Sequence, residues 1–272
     1  MFVKNGRHDQ SLLPMLRRFV DNRLYRIKGF LHPIDAMIFS DLLDFQMSQG
    51  ISGSVAEIGV FYGRSFALLA SAIADDETAL GIDLYDIDGQ LEYVNRTLND
   101  EGVLQKCTLH VGSSMDIQPS EISRQVGPVR FFSVDGGHER PFVEYDSMLA
   151  LDALSSDGII AFDDFFNSQY PDVTLAVVKF LEDHADVSPF CITKNKLYVC
   201  RRAQYETYLT FMKTAPLWAH SEREYFSFMG HAMVHPTQSV INRAIYQTLS
   251  TKGFGRLGNF LTKNQPREYT RS

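Results

Sequence analysis

Three carboxylates in this 272-residue sequence follow directly on apolar, strand-like runs: Asp135 after VRFFSV, and the pair Asp163 and Asp164 after GIIAF. On two adjacent parallel strands they would meet at one sheet edge. Clustered carboxylates repel one another unless a cation lies among them, and an all-oxygen set suits a hard divalent ion such as Mg2+, Ca2+ or Mn2+. The DGGH run places His138 three residues beyond Asp135, which opens a second reading with iron as the metal and His138 as a ligand. A third reading needs no metal: Asp163 and Asp164 cap the segment that follows, and Asp135 is a solvated acid.

A second constellation is Glu57-Ile58-Gly59-Val60-Phe61-Tyr62-Gly63-Arg64-Ser65, where a strand-like run gives way to a helical one. The free N–H groups of a helix start suit a carboxylate or phosphate, and an acid at the preceding strand end suits a ribose or a cationic ligand. The spacing is not the GxGxxG of dinucleotide-binding turns. Asp83 in GIDLYD ends the next strand, where a carboxylate accepts both hydroxyl hydrogen bonds of a ribose, with Tyr85 beside the base. After CTLHV, the run Gly112-Ser113-Ser114-Met115-Asp116 offers small hydroxyls for an adenine edge or, equally naturally, a helix cap.

These positions need a scaffold in which short strands alternate with helices. The strands are VAEIG, ALGID, CTLHV, VRFFSVD and GIIAFDD, with helices starting near Gly63, Gln90, Pro119, Glu139 and Pro171. This is the pattern of a parallel sheet covered on both faces. A helix over Pro33 to Gln49 leads into the first strand. In PFCITKNKLYVCRR, two apolar runs flank the turn Lys194-Asn195-Lys196 and read as an antiparallel hairpin. Past Arg202 the chain is rich in aromatics, from Tyr205, Tyr208 and Phe211 through Trp218 to Tyr225, Phe226 and Phe228. No sheet alternation shows there, so helices are expected, with another at 237–250 and a frayed end at 254–272. The expected organisation is a helical segment 1–50, a ligand-binding domain 51–202 and a helical extension 203–272 serving as a lid or a dimer contact.

With 44% apolar and 22% charged residues, the composition is that of a globular protein. A net charge of −7 argues against a broad nucleic-acid surface. No run reaches the roughly 18 to 20 apolar residues of a membrane helix, and MFVKNGRHDQ lacks the apolar stretch of a signal peptide, so a cytoplasmic location is expected. Cys107, Cys191 and Cys200 show no metal or disulfide spacing and read as reduced thiols. Residues 1–30 interleave Arg17, Arg18, Arg23, Arg26 and Lys28 with Leu12, Leu13, Leu16, Phe19 and Leu24. Such a basic amphipathic helix rests on a membrane or partner, or, more simply, packs on its own domain.

Taken in order, EIGVFYGRS, GIDLYD, VGSSMDI, VDGGH and AFDDF resemble the class I, metal-dependent O-methyltransferases, both the catechol type and the sugar-modifying type of macrolide and aminocoumarin pathways. The resemblance spans about residues 50–202. It implies an α/β, Rossmann-like, doubly wound and mostly parallel seven-stranded sheet with a final antiparallel strand, plus helical additions at both ends. It further implies S-adenosylmethionine as cofactor, held by Glu57, Gly59, Gly63, Ser65, Asp83, Tyr85, Ser113 and Ser114. A divalent metal, Mg2+ by preference, is implied at Asp135, Asp163 and Asp164. Catechol-type enzymes carry Asn after the second metal-binding Asp, and Asp164 is closer to the sugar-modifying branch. His138 falls where the catechol type places a lysine base, and reads as a proton acceptor or as a histidine satisfied within the fold. The acceptor would be a small molecule or a saccharide, and a homodimer is compatible with the extension.

Two other classes fit parts of the pattern. An oxygenase on a methyltransferase-like fold also shows a DGGH run and would retain iron and consume oxygen. A binding protein would keep the fold and lack turnover.

Overall fold

The computed structural model describes residues 11–216 and 221–238. Its strands are β1 (Ser54–Ile58), β2 (Ala79–Asp83), β3 (Cys107–Val111), β4 (Val129–Val134), β5 (Leu154–Phe162), β6 (Val187–Ile192), β7 (Leu197–Arg201), β8 (Ser221–Phe228) and β9 (His231–Gln238). They form one sheet in the order β3-β2-β1-β4-β5-β7-β6-β9-β8. The first five are parallel, and β7 runs antiparallel to both β5 and β6. The seven-stranded doubly wound sheet read from the sequence is therefore present, with its reversed strand at β7.

Helices cover both faces because each crossover between parallel strands must pass over the sheet. On one side lie α1 (Leu13–Asn22), α2 (Pro33–Ser48), α3 (Arg64–Ala70), α4 (Gln90–Asp100) and α8 (Tyr205–Thr214). On the other lie α5 (Glu121–Val126), α6 (Arg140–Ala153) and α7 (Pro171–Asp183). Helix α2 is buried nearly all round, from Ile34 to Leu43, between the sheet and α1, so it shows no amphipathic stripe. Helix α1 turns Leu16, Phe19 and Val20 into the same core. Two of the basic residues in this segment find partners within the domain: Arg17 pairs with buried Asp41 at 2.5 Å, and Arg23, just after the helix, with Glu101 at 2.8 Å. The amphipathic N-terminal segment is thus a helix packed on its own domain.

The extension after Arg202 departs from expectation. Among the described residues of the extension, α8 is the one α-helix; Tyr225, Phe226 and Phe228 lie in the β8–β9 hairpin, which joins β6 through Cys191 and Val234 and widens the sheet to nine strands. Alternation is masked there because Met233 and Val234 are both buried while Tyr225 and Phe226 are both exposed, and Pro236 within β9 reads as a strand breaker. The helix expected at 237–250 begins instead on the last two residues of β9; its remainder, Trp218 and the frayed end expected at 254–272 lie outside the described residues. No described helix is long and apolar enough to cross a membrane, and the three cysteines are free.

Candidate active site

Strand register brings the candidate residues into one row. Ile58 pairs with both Ile82 and Val134, Val134 with Phe162, and Asp83 with Val111. Gly59, Asp83, Gly112, Asp135 and Asp163 therefore all sit at the carboxyl edge of the sheet, where open α/β sheets bind ligands. A groove of about 780 Å³ opens at the opposite edge, lined by Gln49, Ser52, Pro128, Asp152 and Asp157. Both acids there are hydrogen-bonded to neighbouring chain, Asp152 to the Ser120 N–H and Asp157 to the Ser156 hydroxyl. The clustered chemistry lies at the carboxyl edge.

The turn from β1 to α3 is shaped by two left-handed glycines, Gly59 (φ +87°) and Gly63 (φ +84°). A Cβ at Gly59 would lie 1.7 Å from the Asp135 carbonyl oxygen, so this glycine lets the turn pass against the end of β4. Beneath the turn, Glu57 is fully buried and neither carboxylate oxygen has a hydrogen-bond partner. Burial pushes its carboxyl up to about 8; the nearby Ser65 and Ser133 hydroxyls and Lys196 pull the other way without prevailing. Asp83 braces the turn, accepting the Phe61 N–H at 2.7 Å and the Tyr85 N–H at 3.0 Å. Tyr85 packs its ring on the core, with its hydroxyl buried and unpartnered. Ser113 caps a short turn by accepting the Met115 N–H at 3.2 Å. Ser114 is buried close to Asp146 of α6.

Across β4, the cluster of acids is not uniform. Asp135, His138 and Asp164 each offer one atom within 4.8 Å of one another, a set able to hold a divalent ion. His138 Nε2 lies 3.0 Å from Asp164 Oδ2, and its ring stacks on Tyr170 at 3.8 Å. The hydrogen bond to Asp164 raises the imidazole above its usual value despite partial burial. Burial opposes ionisation of Asp164, yet His138, Asn167 and Asn195 together hold it below the ordinary range. Its backbone is left-handed (φ +55°), a conformation Asp tolerates better than most residues. Asp135 is pushed well above the carboxylate range, chiefly by burial and then by the Asp163 charge beside it. Asp163 is the exception: Oδ2 is 2.6 Å from Lys196 Nζ, and Oδ1 accepts from Asn195 and from the Asp164 N–H.

Sequence reasoning missed four residues here. Lys196 and Asn195 were only the turn of a hairpin. Asp146 lies behind Gly136, buried with both oxygens unpartnered and its carboxyl pushed up to about 6 by burial; one acid among apolar helix residues carries no signal. His32, next to α2, has both ring nitrogens buried and unpartnered, and burial, then Lys194, lower it to about 4, so it is neutral. Its position near Asp163 arises only in three dimensions.

A doubly wound sheet with a glycine turn after its first strand, an acid ending its second and a carboxylate–histidine cluster after its fourth and fifth has the arrangement of the Rossmann-like class I methyltransferase fold. Residues 56–165 match the family model described as a methyltransferase domain. Among solved structures, the chain is similar to CalS11, a TDP-rhamnose 3'-O-methyltransferase of calicheamicin biosynthesis, at 18% identity and a TM-score of 0.52 over 74% of this chain and 97% of that one. It is similar to the O-methyltransferase NovP at 16% identity and a TM-score of 0.56, over 71% and 99% of the two chains. A putative O-methyltransferase from Klebsiella pneumoniae aligns at 17% identity and a TM-score of 0.50, over 69% and 90%. These likenesses establish the fold. No curated protein sequence matches the chain.

Proposed function

We propose that this protein transfers the methyl group of S-adenosylmethionine to a hydroxyl of a small molecule or a sugar. The observation that carries this reading is the pairing, on one sheet edge, of a bare buried carboxylate under the glycine turn with a His138–Asp164 pair two strands away. The O-methyltransferase activities of CalS11 and NovP support the same reaction and, for CalS11, a sugar acceptor.

The donor's sulfonium supplies an activated methyl group. The chain's task is to align it with the acceptor oxygen and exclude water. Glu57 fits the donor's ammonium, which would give its unpartnered oxygens the charge they lack, and Asp83 suits the ribose hydroxyls. Asp164 holds the Nε2–H of His138, leaving Nδ1 as the proton acceptor. Nδ1 would take the acceptor O–H proton as that oxygen accepts the methyl group, and the bound donor would supply the methyl by breaking its S–C bond and leave as S-adenosylhomocysteine. Asp135 and Asp164, with His138 beside them, fit a divalent ion that would lower the pKa of the acceptor hydroxyl.

Titration calorimetry with S-adenosylhomocysteine tests the donor site. Because Glu57 is neutral at pH 7 without ligand, an incoming ammonium should expel its proton. Between Tris and phosphate buffers the heat should therefore differ by up to one proton's ionisation, and Glu57→Gln should abolish the difference. Equal heats in both buffers would remove Glu57 from the donor site. Stability has a matching signature: an acid raised from 4.5 to about 8 stabilises fully below its unfolded value and loses that contribution as pH rises toward 8. Glu57→Gln should melt higher than the parent at pH 8. The oxygenase alternative instead requires iron retained on purification and oxygen uptake.

A further inference from the structure

The chain from Ile27 to His32 runs as a strap between the 3-10 turn Leu24–Arg26 and helix α2. Ile27 and Leu31 bury their side chains in the core and fix its line. At its first end the strap is docked on the glycine turn between β1 and α3. Arg64, which opens α3, donates its Nε–H to the Ile27 carbonyl at 2.9 Å, and the Lys28 N–H donates to the Tyr93 hydroxyl at 3.0 Å. The Lys28 ammonium stands 5.2 and 5.1 Å from the Tyr62 and Tyr93 ring centres, and Phe30 stacks on Phe61 at 5.6 Å.

At its other end Pro33 opens α2, and Asp35 in the first turn accepts the Thr193 and Tyr198 hydroxyls at 2.8 and 2.7 Å. Thr193 begins the turn that carries Asn195, whose side chain donates to Asp163 at 2.6 Å and to Asp164 at 3.2 Å. His32 is therefore held between two anchors, the glycine turn on one side and the acid-bearing loop on the other. The charges of Lys194 and Asp163 both act on its ring. A methyl acceptor has to occupy the same interval, because it must meet the donor on one side and His138 on the other.

His32 has no part in the reaction as described so far. Both of its ring nitrogens are buried, and neither has a hydrogen-bond partner. A neutral imidazole carries one donor and one acceptor, and leaving both unmet inside a fold is a penalty that packing does not explain. A phenylalanine would fill the same space without it.

We infer that His32 is an acceptor-binding residue: its ring hydrogen-bonds a second polar group of the acceptor and so turns the hydroxyl to be methylated toward the donor. The inference rests on the proposed methyl transfer and deepens it. It favours acceptors with at least two polar groups, whether on a saccharide or on a phenolic ring, over those with one.

Full-length parent, His32→Phe and His32→Gln, assayed with S-adenosylmethionine on two pairs of probes, test this. Methyl α-L-rhamnopyranoside against cyclohexanol reports a saccharide acceptor, and catechol against phenol a phenolic one. The parent should favour the polyhydroxylated member of one pair by about ten-fold or more in kcat/KM, the worth of one hydrogen bond. His32→Phe should raise KM for that probe by about the same factor, with a much smaller change in kcat, and the preference should collapse. His32→Gln keeps a donor and an acceptor and should recover part of both. Two further readouts separate this role from a structural one. His32→Phe should melt no lower than the parent, because two unmet nitrogens are gone, and should bind S-adenosylhomocysteine with unchanged affinity. An unchanged KM in a folded His32→Phe, or a lower melting temperature with S-adenosylhomocysteine affinity lost in step, would overturn the inference. So would a parent that binds S-adenosylhomocysteine but shows no such preference or methylates no probe, although the donor site would then stand. A parent that neither binds S-adenosylhomocysteine nor methylates any probe sinks methyl transfer itself.

Discussion

Replacing His138 by alanine is expected to lower kcat/KM by about 10²- to 10⁴-fold, the range a positioned general base contributes. The expectation rests on geometry: Nε2 is held 3.0 Å from Asp164 Oδ2 and the ring is stacked on Tyr170, so one nitrogen is oriented and the other is left basic. The hydrogen bond to Asp164 raises the imidazole above 6.5, so the reactive neutral form accumulates only at a pH above that value. Turnover should rise with pH through an inflection above 6.5, and Asp164→Asn should move it down. The pair's stabilising contribution has the matching sign: it is complete below the unfolded histidine value and lost as pH rises through the folded one. Affinity for S-adenosylhomocysteine should be unchanged in His138→Ala, which separates a lost base from a lost fold. A loss of less than about three-fold with a turned-over acceptor would leave His138 a structural histidine.

Gly59→Ala is expected to cost well over about 4 kcal/mol, beyond the usual range for a single methyl group. Two penalties coincide. The residue is left-handed at φ +87°, which costs an alanine roughly 1–2 kcal/mol. The added carbon would also stand 1.7 Å from the Asp135 carbonyl oxygen and 3.0 Å from the Gly136 nitrogen, so β4 and its loop would have to move. Gly63→Ala is the control: it shares the positive φ, but its nearest neighbour is a Val94 methyl at 3.6 Å, so only the backbone penalty of roughly 1–2 kcal/mol applies. Denaturant melts of the two variants would show the contrast, and equal losses would refute the steric account. The comparison also means that Gly59 reports on the fold as much as on donor binding, for which Glu57 is the cleaner probe.

The strand-end positions of Asp83, Asp135 and Asp163 were legible because strands buried on both faces read as largely apolar runs, so the acid that follows each run marks its end. The same logic located Gly59 and Gly63, since only glycine takes their backbone shape without strain. Nothing comparable marked Asp146 or His32, whose importance lies in buried atoms without partners. The β8–β9 hairpin escaped because its burial follows neither a strand nor a helix period: Met233 and Val234 face the core together while Tyr225 and Phe226 face solvent.

By itself the sequence determined the order of strands and helices as far as Arg202, the glycine turn and the edge on which the acids gather, because each depends on local periodicity or on a single residue's backbone freedom. Only the tertiary structure decided how those acids divide. The antiparallel entry of β7 sets Lys196 against Asp163 and leaves Asp135 and Asp164 to His138. That division is a matter of register between strands more than thirty residues apart, and charge pairing at such a distance along the chain exists only once the sheet has closed around it.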